Sequence, residues 1–360
     1  MPKKGSVLIE SLRSVAERSP TESLDDGVRY AVVAGLCLGD GGKKDPLARR
    51  RRMLYDVLSR YYFEKGFVLA LAGDIEDLRD NWLKDVLAGW PELYAVFDAF
   101  AGRGALRRLV GEKDLSLLRV RSYPYDLVHA LCLRRRDRKI IVLHGHQAMA
   151  RFAGRDYLGD FLVRWGGGAM QLRPKDISEN RTARFRTERR LYRAAASMRI
   201  VTVQGHSPRP LFESLSSRDI LRAEVEMALR QNRPGFVDEM LRIYRKDIGI
   251  PSGRAAMPSG PRFDERGFAS PCLFGPGSIS GAKGLRVLEI SGEAIAQVRW
   301  TTRAVVAADR ARWALGASRA ESLAGTPWFR VALRSTPLDS LFDRIDMLAP
   351  PAGVEEEAGI

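Results

Sequence analysis

The sequence predicts an α/β fold built on a largely parallel sheet. Two observations carry this: short apolar runs recur and close on a glycine followed by a polar residue, and segments of helical period separate them. Strands that alternate with helices pair in parallel, because each helix carries the chain back across the sheet. A third observation, the length of 360 residues, allows one large α/β domain with an insertion, or two domains.

The elements follow in chain order. Ala31 to Leu38 is an apolar run, read as a buried strand, and Gly39-Asp40-Gly41-Gly42 after it is a turn that lacks the G-x-x-x-x-G-K-[ST] phosphate-loop pattern. Arg49 to Tyr62 has helical spacing, with Leu54, Val57 and Leu58 on one side and Tyr61 adjoining them. Phe67 to Ala72 is the next strand and ends in Gly73-Asp74; Trp82 to Phe100 reads as a helix containing Pro91, and Leu106 to Val110 as the strand before Gly111. Leu127 to Leu133 and Lys139 to Leu143 are strands joined by the charged turn Arg134 to Arg138, with His144 where the second ends. Ala148 to Trp165 and Ile177 to Met198 are expected helices of an inserted cap, parted by Gly166-Gly167-Gly168, and Ile200 to Val203 returns to the sheet. A helical stretch then runs to about Ile248. The Pro/Gly/Ser-rich segment from Pro251 to Gly281 has the length of a mobile or functional loop. Gly284 to Ser291 and Ala294 to Trp300 form a hairpin across Gly292-Glu293. This divides the chain into an N-terminal extension (1–27), a main domain (28–300, with the cap at about 148–198 and the loop at about 251–281), and a small, partly helical tail (301–360) whose Glu355-Glu356-Glu357 end is expected to be disordered.

Composition narrows the partners. Fifty-nine Lys and Arg against 44 Asp and Glu give a net charge of +15, which concentrates phosphorylated ligands, nucleic acid or anionic membrane surfaces near the protein. No aromatic-rich RNA-binding motif accompanies the charge, so a nucleic-acid partner rests on charge alone. No apolar stretch reaches the roughly 18 residues that span a bilayer, and no segment of signal-peptide character precedes Glu10. Cys37, Cys132 and Cys272 are odd in number and without paired spacing, which argues against a disulfide framework. The expected compartment is the cytoplasm.

The chemistry-bearing residues stand at the strand ends: Gly35-Leu36-Cys37, Gly73-Asp74-Ile75-Glu76-Asp77, Gly111-Glu112-Lys113-Asp114, His144-Gly145-His146 and Gly205-His206-Ser207-Pro208. In open α/β sheets such side chains converge on one crevice. In order and approximate spacing these segments resemble the calcineurin-like metallophosphoesterases, whose pattern runs D-x-H, G-D-x-x-D/E, G-N-H-D, a lone His before Gly, and G-H-x-H. The strings Gly73-Asp74-Ile75-Glu76-Asp77-Leu78, Asn81 to Leu87, Gly205 to Leu215, Pro271 to Ser278 and Arg299-Trp300 are similar to those of a bacterial branch of that family. The resemblance runs from about Tyr30 to Trp300. It implies a two-sheet α-β-β-α sandwich with a helical cap, and metal-dependent hydrolysis of phosphoric esters by two ions that share a bridging carboxylate.

On that pattern Asp74 takes the bridging position, and His144 and His206 match histidines assigned to the second metal. The departures are as specific. Gly35 and Cys37 replace the Asp and His of the first motif, Pro208 replaces the last His, Glu112 replaces the Asn ligand, and Lys113 replaces the His assigned to protonating the leaving group. The expectation is an eroded dinuclear centre in an inactive or weakly active phosphoric ester hydrolase, holding at most one divalent metal ion, or none. In one reading Asp74, Glu112, His144 and His206 bind a single manganese, zinc or iron ion that still polarises a phosphoryl oxygen. In the other, which five simultaneous changes favour, the Lys113 ammonium extends into the vacated position to pair with Asp74 and Glu112, and the protein is a pseudoenzyme.

Cys37, Asp40 and Asp45 are candidate substitute ligands, although a cysteine on a buried strand more often packs as a small hydrophobe. His129 and His146 read as core or surface histidines, and Glu76, Asp77 and Asp114 as groups that orient others. In the cap, Arg186, Arg190 and Arg193 share one helical face and Phe185, Tyr192 and Ala196 another. Such an arginine row is commonly a solvated face; with Arg209 it could also hold an anionic head group. A basic scaffold that binds nucleic acid or anionic lipid is the alternative from another functional class.

Overall fold

A computed structural model describes residues 4–24, 27–148, 181–215, 270–279, 284–307 and 320–348. The chain is mixed α/β, with two mixed sheets. Among the described residues its α-helices include α1 (Lys4–Arg18), α2 (Arg51–Val57), α3 (Leu83–Gly89), α4 (Pro91–Gly102), α5 (Arg181–Met198) and α6 (Leu338–Leu348). The smaller sheet has the order β1-β6-β7-β8-β9, from β1 (Thr21–Ser23), β6 (Ala130–Arg135), β7 (Arg138–Leu143), β8 (Val201–Gln204) and β9 (Leu273–Phe274). The larger has the order β12-β13-β11-β10-β2-β3-β4-β5, from β2 (Arg29–Val33), β3 (Val68–Ala72), β4 (Leu106–Leu109), β5 (Leu127–Val128), β10 (Leu285–Ser291), β11 (Ala294–Thr302), β12 (Ala320–Ser322) and β13 (Trp328–Pro337).

Successive side chains of a strand point to opposite faces, and the larger sheet uses both. Val32, Ala70, Ala72, Leu288 and Ile290 are buried in one cluster with the strands of the smaller sheet. Ala31, Val33, Leu69, Leu71 and Val287 face the other way, onto Leu54, Val57, Phe97 and Phe100 of α2 and α4. The architecture is therefore an α/β sandwich with helices outside.

Several expectations are corrected. The larger sheet is parallel only from β2 to β5; β10 to β13 join it antiparallel. The helix expected over Trp82 to Phe100 is two, broken at Trp90 because Pro91 starts α4, the position where a missing N–H costs nothing. The strand expected over Leu127 to Leu133 is divided: β5 pairs with β4 in one sheet, and β6 with β7 in the other. The tail contributes two strands, β13 lying along β11, and α6, which buries Leu338, Leu341, Phe342 and Ile345. The N-terminal extension packs α1 against β6 and α5, and β1 pairs in parallel with β6. Most of the expected cap, the helix to Ile248, most of the 251–281 loop and Glu355 to Glu357 lie outside the described residues. The described part of the cap, α5, packs on β8 and β9 as an outer-layer helix, because Leu191, Tyr192 and Ala194 to Ala196 give it a buried face.

Candidate metal centre

Strands β2, β3 and β4 run parallel in the larger sheet, and β7 and β8 run parallel in the smaller, so their carboxyl ends come to one place. Backbone bonds lock the emerging loops together. The Gly35 N–H donates to Gly73 O (3.0 Å), Cys37 N–H to Asp74 O (2.9 Å) and Leu38 N–H to Ile75 O (2.7 Å). His206 N–H donates to His144 O (2.6 Å). Approach is so close that side chains are excluded: a Cβ on Gly111 would lie 2.2 Å from Asp74 Oδ1, and one on Gly73, where φ is +83°, 2.5 Å from His144 Nδ1. Asp74 and Cys37 themselves have left-handed backbones, φ +53° and +49°, at a cost of roughly 1–2 kcal/mol each. Strain of this kind persists where surrounding structure holds it, and here it aims two candidate site residues.

Asp74, His144 and His206 form the centre. All three are buried, and one potential ligand atom from each lies within 4.8 Å of the others. His144 Nδ1 is 3.0 Å from Ala72 O, a pure acceptor, so Nδ1 carries the proton and Nε2 presents its lone pair inward. That Nε2 faces Asp74 Oδ2 at 3.2 Å and His206 Nδ1 at 3.3 Å. Ligands about 2.1 Å from one ion in a tetrahedral site stand roughly 3.4 Å apart, so these separations fit donors to a shared cation. Two imidazoles and a carboxylate suit zinc, manganese or iron.

Without a metal ion, a proton meets the same need. Burial disfavours charge on Asp74, but the His144 imidazole, the Lys113 amide and His206 outweigh it and hold the carboxyl well below its ordinary range. Burial likewise opposes charge on His144, and Asp74 reverses the balance, raising the imidazole above its ordinary value. His146, fully buried beside His144, is driven well below its ordinary value by burial and by its neighbour's charge. His129 is pushed down to about 4 by burial.

Lys113 lies on the other side of Asp74. Its backbone N–H donates to Asp74 Oδ1 at 2.8 Å, and its ammonium donates to Asp77 Oδ2 at 2.7 Å. Burial works against this charge, and Cys37, Asp77 and Asp74 more than compensate, so the amine holds its proton tightly. The Cys37 thiol is pushed up by burial and by Asp74, against the pull of Lys113.

A buried network supports the loops. The Arg108 guanidinium, fully buried, pairs with Glu76 and, at 2.5 Å, with Asp114, both also fully buried. Asp114 accepts from Ile75 N–H (2.7 Å) and Gly111 N–H (2.6 Å), tying the loop that bears Asp74 to the loop that bears Lys113. Glu76 accepts from the hydroxyls of Tyr94 (2.9 Å) and Tyr123 (2.8 Å). Glu76 and Asp114 are thus orienting groups.

Other expected site residues lie elsewhere. Glu112 is outside the cluster, since its carboxylate pairs with Arg79. Asp40 is exposed and accepts from Gly42 N–H, and buried Asp45 accepts from Gly39, Gly41 and Leu47 N–H, so both shape the first loop. Cys37 follows the end of β2 in a loop, not on a strand as expected, and is not in the cluster. Arg186, Arg190 and Arg193 are exposed on α5 while Phe185, Tyr192 and Ala196 are buried; Arg209, partly buried, follows His206. Sequence reasoning missed Arg108 and the pairing of Lys113 with Asp77. The signal for Arg108 was available: in Leu106-Arg107-Arg108-Leu109 strand alternation turns one arginine inward, toward a layer that holds Glu76 and Asp114. No family model, no curated protein and no solved structure matches the chain.

Proposed function

We propose that this chain is a metallophosphoesterase-like protein whose eroded centre holds one divalent metal ion on Asp74, His144 and His206 and binds phosphoric esters, with hydrolysis weak or lost. The observation that carries the reading is the orientation of His144. With Nδ1–H donated to Ala72 O, His144 Nε2 is left as an acceptor beside Asp74 Oδ2, and with His206 Nδ1 unprotonated the three atoms, all within 4.8 Å of one another, make a donor set that suits a cation. Three protein ligands leave an open position of the kind catalytic sites keep for water or substrate. A bound ion there would polarise a phosphoryl oxygen, without the symmetric clamp of a two-metal site. The order of the strand-end motifs supports the ester class, and the net positive charge favours an anionic ligand.

The test is metal content by elemental analysis of protein purified without chelator. One equivalent in the parent, lost in Asp74→Ala and in His144→Ala, is the expected result. Absence of metal after incubation with manganese, zinc and iron salts would refute the reading. Turnover of bis-p-nitrophenyl phosphate then sets the activity, and any rate that survives Asp74→Ala does not belong to this centre.

A further inference from the structure

We propose that the Lys113 ammonium is the second cation of this centre, filling ground between Asp74, Asp77 and Cys37 that would otherwise accept another divalent ion. The inference rests on the reading of Asp74, His144 and His206 as a metal site and assigns the neighbouring charge.

Asp74 divides its oxygens. Oδ2 faces His144 Nε2 at 3.2 Å, and Oδ1 accepts from the main chain of Lys113 at 2.8 Å. The Lys113 side chain then reaches back to Asp77, 2.7 Å from its carboxylate. Two backbone contacts bring Cys37 and Asp77 alongside: Cys37 N–H donates to Asp74 O and Asp77 N–H to Leu38 O, each at 2.9 Å. Lys113 and Cys37 also interact directly. The ammonium is therefore bonded to the Asp77 carboxylate and lies on the side of the Asp74 carboxylate and the Cys37 thiol, and two carboxylates and a thiol are a donor set that a divalent ion would itself accept. Its lysine and aspartate side chains are only 16% and 17% exposed, so water screens the pair weakly.

An ammonium differs from a metal ion in what it can do. It attracts phosphoryl oxygens and can direct at them an N–H not donated to Asp77, but it carries one charge instead of two and offers no coordination site for water. A centre of one metal ion and one ammonium would hold a phosphate ester by two oxygens and activate a nucleophile poorly. This accounts for binding without efficient hydrolysis, and the ligand class is a phosphate mono- or diester.

The experiment is zinc titration with elemental analysis of the full-length parent, Lys113→Ala, Lys113→Ser, Lys113→Arg and the double variant Lys113→Ala/Cys37→Ser. The proposal expects one equivalent in the parent and in Lys113→Arg, two in Lys113→Ala and Lys113→Ser, and one again in the double variant. Inorganic phosphate binding, followed by calorimetry on the parent and Lys113→Ser each loaded with a single zinc equivalent, should weaken at least tenfold in the variant. One equivalent in the parent with no gain in either uncharged variant would overturn this proposal and leave the single-metal reading intact. No zinc in the parent would overturn both. Two uncharged variants guard against one that fails to fold, and circular dichroism identifies it.

Discussion

Replacing Arg108 by Met tests whether the buried network holds the centre in shape. The guanidinium is fully buried and pairs with two carboxylates that are also fully buried. Removing one partner of a buried ion pair costs about 3–5 kcal/mol, mostly from the charge left behind. Two charges are left here, but Asp114 keeps two backbone donors and Glu76 two tyrosine hydroxyls, so the loss should stay near about 3–5 kcal/mol and not double. The deficit must also depend on pH. Burial, together with the charges of Glu76 and Asp74, already raises the Asp114 pKa in the fold, and losing Arg108 raises it further. A carboxyl whose folded pKa is raised contributes stability below its unfolded value, about 3.9, and loses it as pH rises through the folded value. The variant's deficit is therefore full at neutral pH and shrinks in acid. Guanidinium unfolding followed by circular dichroism at pH 7.5 and pH 5 measures both numbers, and Arg108→Met/Glu76→Gln/Asp114→Asn should recover most of the loss. A deficit under about 1 kcal/mol at pH 7.5, or one of equal size at both pH values, would refute the argument.

Three further outcomes are expected. Gly111→Ala places a Cβ against Asp74, so it should cost about 1–3 kcal/mol in chemical denaturation and abolish the metal equivalent; retention of metal would mean that the two loops are not held as close as 2.2 Å implies. The raised His144 pKa means that its proton stabilises the metal-free fold below about pH 6.5 and that this contribution fades as pH rises through the folded value. Since a metal ion must displace that proton, apparent affinity should rise with pH up to the folded His144 value and level off beyond it, with proton release seen by calorimetry in buffers of different ionisation enthalpy; a flat profile would contradict it. Leu341→Ala, in the buried face of α6, should cost about 2–5 kcal/mol, whereas a cost under about 1 kcal/mol would make residues 338–348 peripheral to the fold.

What the sequence reveals and conceals follows from which forces leave a pattern. Apolar runs mark where strands are, because burial selects for them, but not where pairing stops. The run from Ala31 to Leu38 leaves the sheet after Val33, since Gly35 and Cys37 turn left-handed and the loop pairs with residues 73 to 75 instead. Leu127 to Leu133 is apolar enough that its division between two sheets at His129 has no signature. Strand β13 is mostly half-exposed, with only Val331 and Thr336 buried, so its alternation is faint. Asp74, His144 and His206 are legible because each stands directly after or before a glycine at a strand end. The choice of Lys113 between Glu112 and Asp77 is not, because it depends on the reach of a flexible side chain and on Arg79 pairing with Glu112.

The centre also bears on stability, because its residues come from different sheets: Asp74 follows β3 in the larger, and His144 and His206 follow β7 and β8 in the smaller. An ion held by all three would join the two layers, as the His144 bond to Ala72 O already does. Such an ion binds the folded chain and not the unfolded one, so at a hundred times its dissociation constant it should add about 2.7 kcal/mol to the unfolding free energy. Asp74→Ala removes the contribution of the larger sheet, and its unfolding curve should be indifferent to added zinc or manganese. Were the pocket merely a His144–Asp74 ion pair with no room for a metal, added ions would leave the parent's curve unmoved as well. The difference between the two proteins, and not the stability of either, is therefore what separates a metal centre from a buried pair.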